Sequence, residues 1–498
     1  MANPSLAELC DLAASREEPA FTSILKATSG GVDPLGLRQI NFDLMDLVFP
    51  GLNNVASHIR PFTVVTWAWR RAATCARDMG RVRIDASELQ DFVDRVEVIY
   101  AWSQFRRNPP SDLPGRDVLA PLIAAGGYTF GGDDWQKRRE IRDDSTALSA
   151  PINYGPGLKG LGWLQPDEER EGAWVATELA EPAIVRFEAE IAPFLHHPAF
   201  CKFGPVSITN AEVDQLKEAW ALERPTEAEK LAMTRSLTGD AAGQRRRDGI
   251  KLAIAAVHHL KSSADVLAVR RTMCGPPTDF VPPAELQLAA RTWRAVQVRQ
   301  AFRLALEASL HWILRQLDAG PMTTGALANA FLDRSGDATT TADWLSLADG
   351  TGPADWIDRL EQSLANTDEV ALLRAIHAAL GMSLAEAPDK AGSERDDRLP
   401  LARAAREART CGKLPPADFV AHIIESWIFG QHVYWSVGRG LADARGRGKT
   451  ILRLKATLED GGWTLAPGVK VANRNTPRAT PDRLETVLRL AKEADLVP

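Results

Sequence analysis

Between Pro283 and Asp318 the residues Leu286, Ala289, Trp293, Val296, Phe302, Ala305, Leu306, Leu310, Ile313 and Leu317 form one apolar stripe at helical spacing, which Gly320-Pro321 closes. At 1.5 Å per residue such a helix reaches ~54 Å. A rod of that length with one apolar stripe must bury it against further helices, so it commits the chain to a mainly α architecture. The chain has 498 residues, 45% hydrophobic and 25% charged, which is globular composition with room for several cores. Ala, Leu and Arg abound, and few β-branched runs alternate in the manner of strands.

Helical periodicity predicts one helix within 33–54, stopped by Pro50-Gly51, a second over 61–79 and a third over 86–106. The stretch 108–115 (NPPSDLPG) breaks the chain. A short helix over 118–125 follows, then a Gly-rich turn and a polar stretch, 133–145. Farther on, a helix ending Leu161-Gly162-Trp163-Leu164, an acidic turn, a short apolar strand and a helix led by Thr177 and Glu178 follow the order of a winged helix. An irregular helical segment explains the same residues, and both readings stay open. In the centre, 207–220 and 225–237 begin with capping signals, GQRRRDG separates them from a helix over 249–273, and the long helix comes next. The charged, Pro- and Gly-containing stretch 386–400 reads as a linker. Beyond it stand a helix over 415–437, a small C-terminal β-hairpin around 450–472 and a closing helix over 481–494. The expected organisation is a multi-domain helical protein: an N-terminal helical domain (1–110), a winged-helix-like module (111–200), a central helical domain (201–385) and a C-terminal α+β unit (401–498).

The five cysteines Cys10, Cys75, Cys201, Cys274 and Cys411 are scattered and never form a C-x-x-C pair, which argues against a cysteine zinc site or a disulfide framework. The opening MANPSLAELC has neither the basic nor the apolar region of a secretory signal, and 62–69 is too short to span a bilayer. A cytoplasmic location without membrane contact is expected.

Gly448-Lys449-Thr450 ends like a phosphate-binding P-loop, but Asp443 stands where the loop needs its first glycine, and its charge repels phosphate. The flanking elements are also in the wrong order, so no nucleotide cofactor is expected. The same region reads better as a basic surface. From 439 to 483 ten basic residues, among them Lys470 and Arg483, face four acidic ones, Asp443, Glu459, Asp460 and Asp482, in a chain of net charge −6. Arg439, Arg445, Arg447, Lys449, Arg453, Lys455, Arg474 and Arg478 are the candidate nucleic-acid-binding residues, since guanidinium groups spaced by glycine suit phosphodiester backbones. A solvated face or an interface for an acidic protein fits the same residues. A second basic run, Gln244-Arg245-Arg246-Arg247, reads as a solvated helix start. The pairs His196-His197 and His258-His259 point about 100° apart on a helix and carry no metal-site spacing. His58 and His432 sit among apolar neighbours and read as core histidines. The acid pairs Asp133-Asp134, Asp143-Asp144 and Asp396-Asp397 read as solvating loop residues. No catalytic motif stands out, so no catalytic residue is assigned.

The segment from Asp33-Pro34-Leu35-Gly36 through Phe49-Pro50-Gly51, followed by NNVASHIRPFTVVTWAWR, resembles the N-terminal signature of uncharacterised bacterial proteins encoded with phage-defence genes. APINYGPGLKGLGWL resembles a second block of that group. The turn Asn53-Asn54-Val55, with His58 and Arg60, departs from the group's usual form. The resemblance implies a defence or mobile-element context and carries over no activity and no catalytic residue. The functional expectation is a non-enzymatic helical scaffold that contacts other proteins of one system and, through residues 439–483, DNA. Two alternatives are an enzyme or toxin-like effector with an unfamiliar site, and a pure adaptor anchored by exposed Trp427, Trp435 and Trp463.

Overall fold

The long apolar stripe becomes the helix Gln287–Leu317, entered through a single 3-10 turn at Ala284–Leu286. The structure is a computed structural model describing residues 33–81, 84–109, 113, 115–141, 154–261, 264–336, 338–347, 352–366, 368–388, 398–438, 453–469, 471 and 476–498. It is mainly helical, and the described strands form three two-stranded antiparallel sheets. The chain falls into two compact units, each made of separate stretches: one of residues 1–44, 270–281 and 291–480, the other of 45–269, 282–290 and 481–498.

In the first unit the long helix lies at the centre of an apolar core shared with helices Thr324–Ser335, Pro353–Ala365, Glu369–Ala385 and Leu401–Thr410. Its polar residues are buried as well. Gln297, Arg299, Gln300, Arg303 and Glu307 are each no more than 2% exposed. Gln300 holds three groups: its amide donates to the Thr480 carbonyl (2.8 Å), and its oxygen accepts from Asn41 Nδ2 (3.0 Å) and Thr480 N (3.1 Å). The expected C-terminal hairpin pairs Ala456–Glu459 with Gly462–Leu465. It is fastened to the core where Trp463 and Met322 exchange backbone hydrogen bonds and the Trp463 ring stacks on Phe429 at 3.8 Å.

The second unit is built on helices Ile59–Asp78 and Ala86–Arg107, whose periodic residues are almost wholly buried. Asn53 Oδ1 accepts from the N–H groups of Val55 and Ala56 (2.9 and 2.7 Å), which makes the tight turn expected before the first of these helices. Arg60, in that helix's first turn, is 1% exposed and pairs with Glu190 (3.1 Å) and with the fully buried Glu229 (3.3 Å). Both expected capping boxes form, Thr209 with Glu212 and Thr226 with Glu229, so Glu229 caps one helix and neutralises another's arginine.

Residues 51–62 and 154–163 pack together in this unit. Gly51 and Gly160 touch backbone to backbone: a Cβ on Gly160 would lie 2.3 Å from Gly51 Cα. Tyr154 accepts from His58 N at 3.1 Å, and Phe62 meets Tyr154 and Trp163 with ring centroids 5.2 and 5.6 Å apart.

Several expectations are corrected. The helix expected over 249–273 is two, Gln244–Leu260 and Val266–Met273, and GQRRRDG opens the first of them instead of preceding it. Arg246 is not solvated; it is 7% exposed and donates to the Gly160 carbonyl at 2.6 Å. The polar stretch after residue 132 is a helix, Asp133–Ile141, whose Asp134 accepts from Tyr128 Oη and Arg138 Nε instead of solvating a loop. The strand pair Gly127–Phe130 with Val206–Thr209 has no counterpart in the sequence reading. Residues 155–190 give helix Gly155–Gly160, strands Leu164–Pro166 and Trp174–Ala176, and helix Glu181–Glu190. Thr177 does not cap that last helix; its hydroxyl donates to the Gly162 carbonyl at 2.6 Å. The pairs Asp143-Asp144 and Asp396-Asp397, and most of the linker 386–400, lie outside the described residues.

Candidate nucleic-acid interface

Of the eight basic residues singled out, Arg439, Arg445, Arg447, Lys449 and Arg474 lie outside the described residues, and Arg453, Lys455 and Arg478 lie within the first unit. Arg478 is exposed, and its backbone carbonyl accepts from Arg303 Nη2 at 2.9 Å. Lys455 is half-buried. Burial lowers its pKa while the Glu307 carboxylate pulls the other way. Glu307 itself is 1% exposed; burial pushes its carboxyl up against the pull of Arg303 and Arg38. Arg303 Nη1 lies 2.6 Å from Glu307 Oε2, an ion pair in which both partners are buried.

The described residues on either side of the stretch 439–452 are held by specific contacts. Before it stands a continuous helical stretch: Pro416–His422, a π-helical section Ile423–Gly430, and helical residues 431–438. The wider π turn shifts the facing of every residue after it, a device frequent at functional sites. Glu407 holds the section from one side, accepting from Arg403 Nε (2.8 Å) and Trp427 Nε1 (2.7 Å) and meeting His422 Nε2 at 2.9 Å. Burial raises the Glu407 carboxyl, but the bonds from Trp427, His422 and Arg403 outweigh it and bring the pKa to about 2.

After the π section, the helix grips the Asp33–Gly36 turn by its backbone. Trp435 Nε1 donates to the Asp33 carbonyl (2.9 Å), His432 Nδ1 to Pro34 (2.8 Å), Gln431 Nε2 to Leu35 (3.1 Å), and Arg398 to Gly36. The Asp33 carboxylate accepts from the N–H groups of Leu37 and Arg38, capping the following helix Arg38–Met45. Gly36 adopts φ +69°, and a Cβ there would lie 2.4 Å from Trp435, so only glycine fits under the indole. Arg398 stacks over that indole at 4.0 Å.

His432 closes the frame. A carbonyl only accepts, so Nδ1 carries the proton, and Nε2 accepts from Lys455 N at 2.9 Å. Burial holds the ring's pKa down at about 4, which keeps it neutral. Ser436 Oγ also lies 3.5 Å from the Arg453 carbonyl. Residues 432–436 of the helix and 453–455 before the hairpin strand are therefore hydrogen-bonded to one another.

The tryptophans proposed as exposed anchors are occupied internally. Trp427 is 1% exposed and bonded to Glu407, Trp435 is clamped between Arg398 and Gly36, and Trp463 is stacked on Phe429 and bonded to Thr324 Oγ1. The structure also shows what His197 does: Nδ1 caps a helix by accepting from Ala199 N, and Nε2 meets Glu212. Among the described residues no three His, Cys, Asp or Glu side chains could together hold a metal ion, and no helix is long and apolar enough to cross a membrane. No family model, no curated protein and no solved structure matches the chain.

Proposed function

We propose that this protein is a non-enzymatic helical scaffold in a bacterial multi-protein system, in the phage-defence context its N-terminal resemblance implies, and that it holds the backbone of duplex DNA on residues 439–452. The observation that supports this is the pinned base. The stretch carries Arg439, Arg445, Arg447 and Lys449 against Asp443 alone, and its two ends are fixed to one frame at Ser436 and Arg453. A segment tethered at both ends has less freedom left to lose when it meets a ligand. Arginine forks spaced by glycine can each reach a phosphate without reading a base. Arg478, exposed in the same unit, adds to the positive field. Binding of this kind is salt-dependent and weakly sequence-specific.

On the winged-helix-like reading of residues 111–200, that module serves protein contact. The tip between its two strands carries Asp167, Glu168, Glu169 and Glu171 against Arg170, which repels phosphate and suits a basic face on a partner of the same system. Anisotropy of a labelled duplex tests the proposal: tight binding at low salt that Arg445→Ala/Arg447→Ala/Lys449→Ala weakens supports it, and no binding by the unaltered chain sinks it.

The enzyme reading draws on one feature. Ser426 Oγ lies 3.4 Å from His422 Nδ1, and His422 Nε2 meets Glu407, the order of a nucleophile, base and orienting acid. Covalent labelling of Ser426 by a fluorophosphonate, lost in His422→Ala, would replace the scaffold reading.

A further inference from the structure

Two cysteines far apart in sequence meet in the second unit. Cys75 lies in helix Ile59–Asp78, and Cys201 ends the short helix Pro198–Cys201. The Cys75 thiol donates to the Phe200 carbonyl, with sulfur and oxygen 3.3 Å apart. That carbonyl belongs to the peptide leading into Cys201, and a carbonyl oxygen lies about 2.8 Å from the next Cα across a trans peptide. Cys75 Sγ therefore stands no more than about 6 Å from Cys201 Cα. In a disulfide each sulfur is about 3 Å from the partner's Cβ, so side-chain rotation and a small shift of the short helix close the gap. Both thiols are free of disulfides, and Cys201 Sγ is held by one weak bond, to the His196 carbonyl at 3.4 Å.

Two arginines fasten the same segment by its backbone. Arg71 donates through Nε to the Phe200 carbonyl (2.9 Å) and through Nη2 to Leu195 (3.0 Å). Arg95, fully buried, donates to carbonyls on both sides of Cys201, through Nε to Ala199 (3.1 Å) and through Nη2 to Lys202 (2.6 Å). Their positive charge stabilises the sulfur anion through which thiol oxidation passes. Burial pushes the Cys75 thiol up, Arg71 opposes it, and charge on Cys201 adds to the rise, so the two sulfurs feel each other. Cys411, by contrast, is raised by burial and then by the carboxylates of Glu407 and Asp418. Cys75 is 3% exposed, whereas Cys201 is half-buried and meets solvent.

We propose that Cys75 and Cys201 are a peroxide-responsive thiol pair that closes a reversible disulfide between helix Ile59–Asp78 and the segment 195–202. Cys201, the accessible member, reacts first. Its sulfur attacks one oxygen of hydrogen peroxide, the O–O bond breaks, and Cys201 becomes a sulfenic acid as the other oxygen leaves in water. The Cys75 sulfur then attacks the Cys201 sulfur, the S–O bond breaks, and the hydroxyl leaves as water with the Cys75 proton. The two thiols lose two electrons and two protons, and the peroxide takes up both to give two waters. A dithiol reductant reverses the bond. This input belongs to the second unit and does not involve residues 439–452.

Peptide mapping by mass spectrometry tests this, on the full chain treated with hydrogen peroxide, alkylated and digested without reductant. The principal linked species joins Cys75 to Cys201, two hydrogens lighter than the sum of its parts, and dithiothreitol removes it. Cys75→Ser loses the link, and dimedone then labels Cys201, whose sulfenic acid has no resolving thiol. Cys201→Ser also loses the link and leaves Cys75 without dimedone, because burial shields it. Unchanged far-UV spectra show that both variants fold. The same treatment in concentrated urea scrambles the pairing, since the fold no longer directs it. Absence of a Cys75–Cys201 peptide overturns the proposal. So does a more abundant link through another cysteine, the same pairing in urea, or dimedone in Cys75→Ser that falls elsewhere than on Cys201.

Discussion

Replacing Gly160 by alanine adds one methyl group at a place where two backbones meet. The added Cβ would lie 2.3 Å from Gly51 Cα and 2.5 Å from Gly51 O, against 3.4 Å for ordinary contact, so the two segments must part by about 1 Å. Neither side is a flexible side chain, and a rotamer change cannot relieve the clash. Parting the segments also draws the Gly160 carbonyl from Arg246, whose guanidinium donates to it at 2.6 Å. Overpacking of this kind costs about 1–3 kcal/mol, and the strained charge-assisted bond puts the expected loss near the upper end, about 3 kcal/mol. In a unit of this size that lowers the melting temperature by roughly 6–12 °C.

Gly155 gives the matched control. It begins the same short helix, and a Cβ built there meets nothing within 4 Å. Gly155→Ala therefore leaves stability unchanged or raises it by about 0.5 kcal/mol through the unfolded state. Urea and thermal unfolding followed by far-UV circular dichroism compare the two variants directly. Equal midpoints for Gly160→Ala and Gly155→Ala would refute the argument that the Gly51–Gly160 contact holds the two blocks together.

Two further predictions concern buried charge. The His432 pKa is depressed to about 4 from an unfolded value of 6.5, so at pH values between these the unfolded chain binds a proton that the folded one does not. Its stabilising contribution is complete above pH 6.5 and is lost as pH falls toward 4, on the order of 2–3 kcal/mol; His432→Gln flattens that slope in urea titrations from pH 7 to 4.5, and an unchanged slope contradicts the neutral ring. Arg60→Met leaves the Glu229 carboxylate buried without its cation, and burial already raises that carboxyl's pKa. The expected loss is about 3–5 kcal/mol at pH 7 by urea denaturation, and a loss under 1 kcal/mol would show that the pair does not hold the helix start.

Much of the helical frame was legible because its signals are local. The long stripe and the Thr209 and Thr226 capping boxes each act within a few residues, whereas the helix expected to run to Pro50-Gly51 ends already at Met45. What escaped depends on partners far along the chain. The strands Gly127–Phe130 and Val206–Thr209 are four residues each and find each other only after folding. Arg303 and Glu307 stand four apart, like an exposed helix pair, yet the core closes on that face too. Arg246 looked solvated because nothing in QRRRDG announces the Gly160 carbonyl it reaches.

The candidate sites divide in the same way. The Arg/Gly spacing of residues 439–452 is visible in the sequence, whereas the grip that pins its base joins donors at 398 and 431–435 to four backbone carbonyls, and carbonyls carry no sequence signature. One signal was available: Asp33 with Gly36 marks a capped turn, and Gln431, His432 and Trp435 are three donors within five residues. Cys75 and Cys201 are brought together only by the tertiary fold, so no C-x-x-C spacing could mark them.

Residues 439–452 are proposed to hold DNA phosphates. The most direct measurement is the duplex dissociation constant across a salt series, for the unaltered chain and for Arg445→Ala/Arg447→Ala/Lys449→Ala. Each phosphate contact contributes about 0.9 to the slope of log affinity against log salt, so the account predicts a slope shallower by about 2.7 in the variant and nearly equal loss on unrelated duplex sequences. Parallel slopes for the two proteins, or a slope near zero for the unaltered chain, would contradict it.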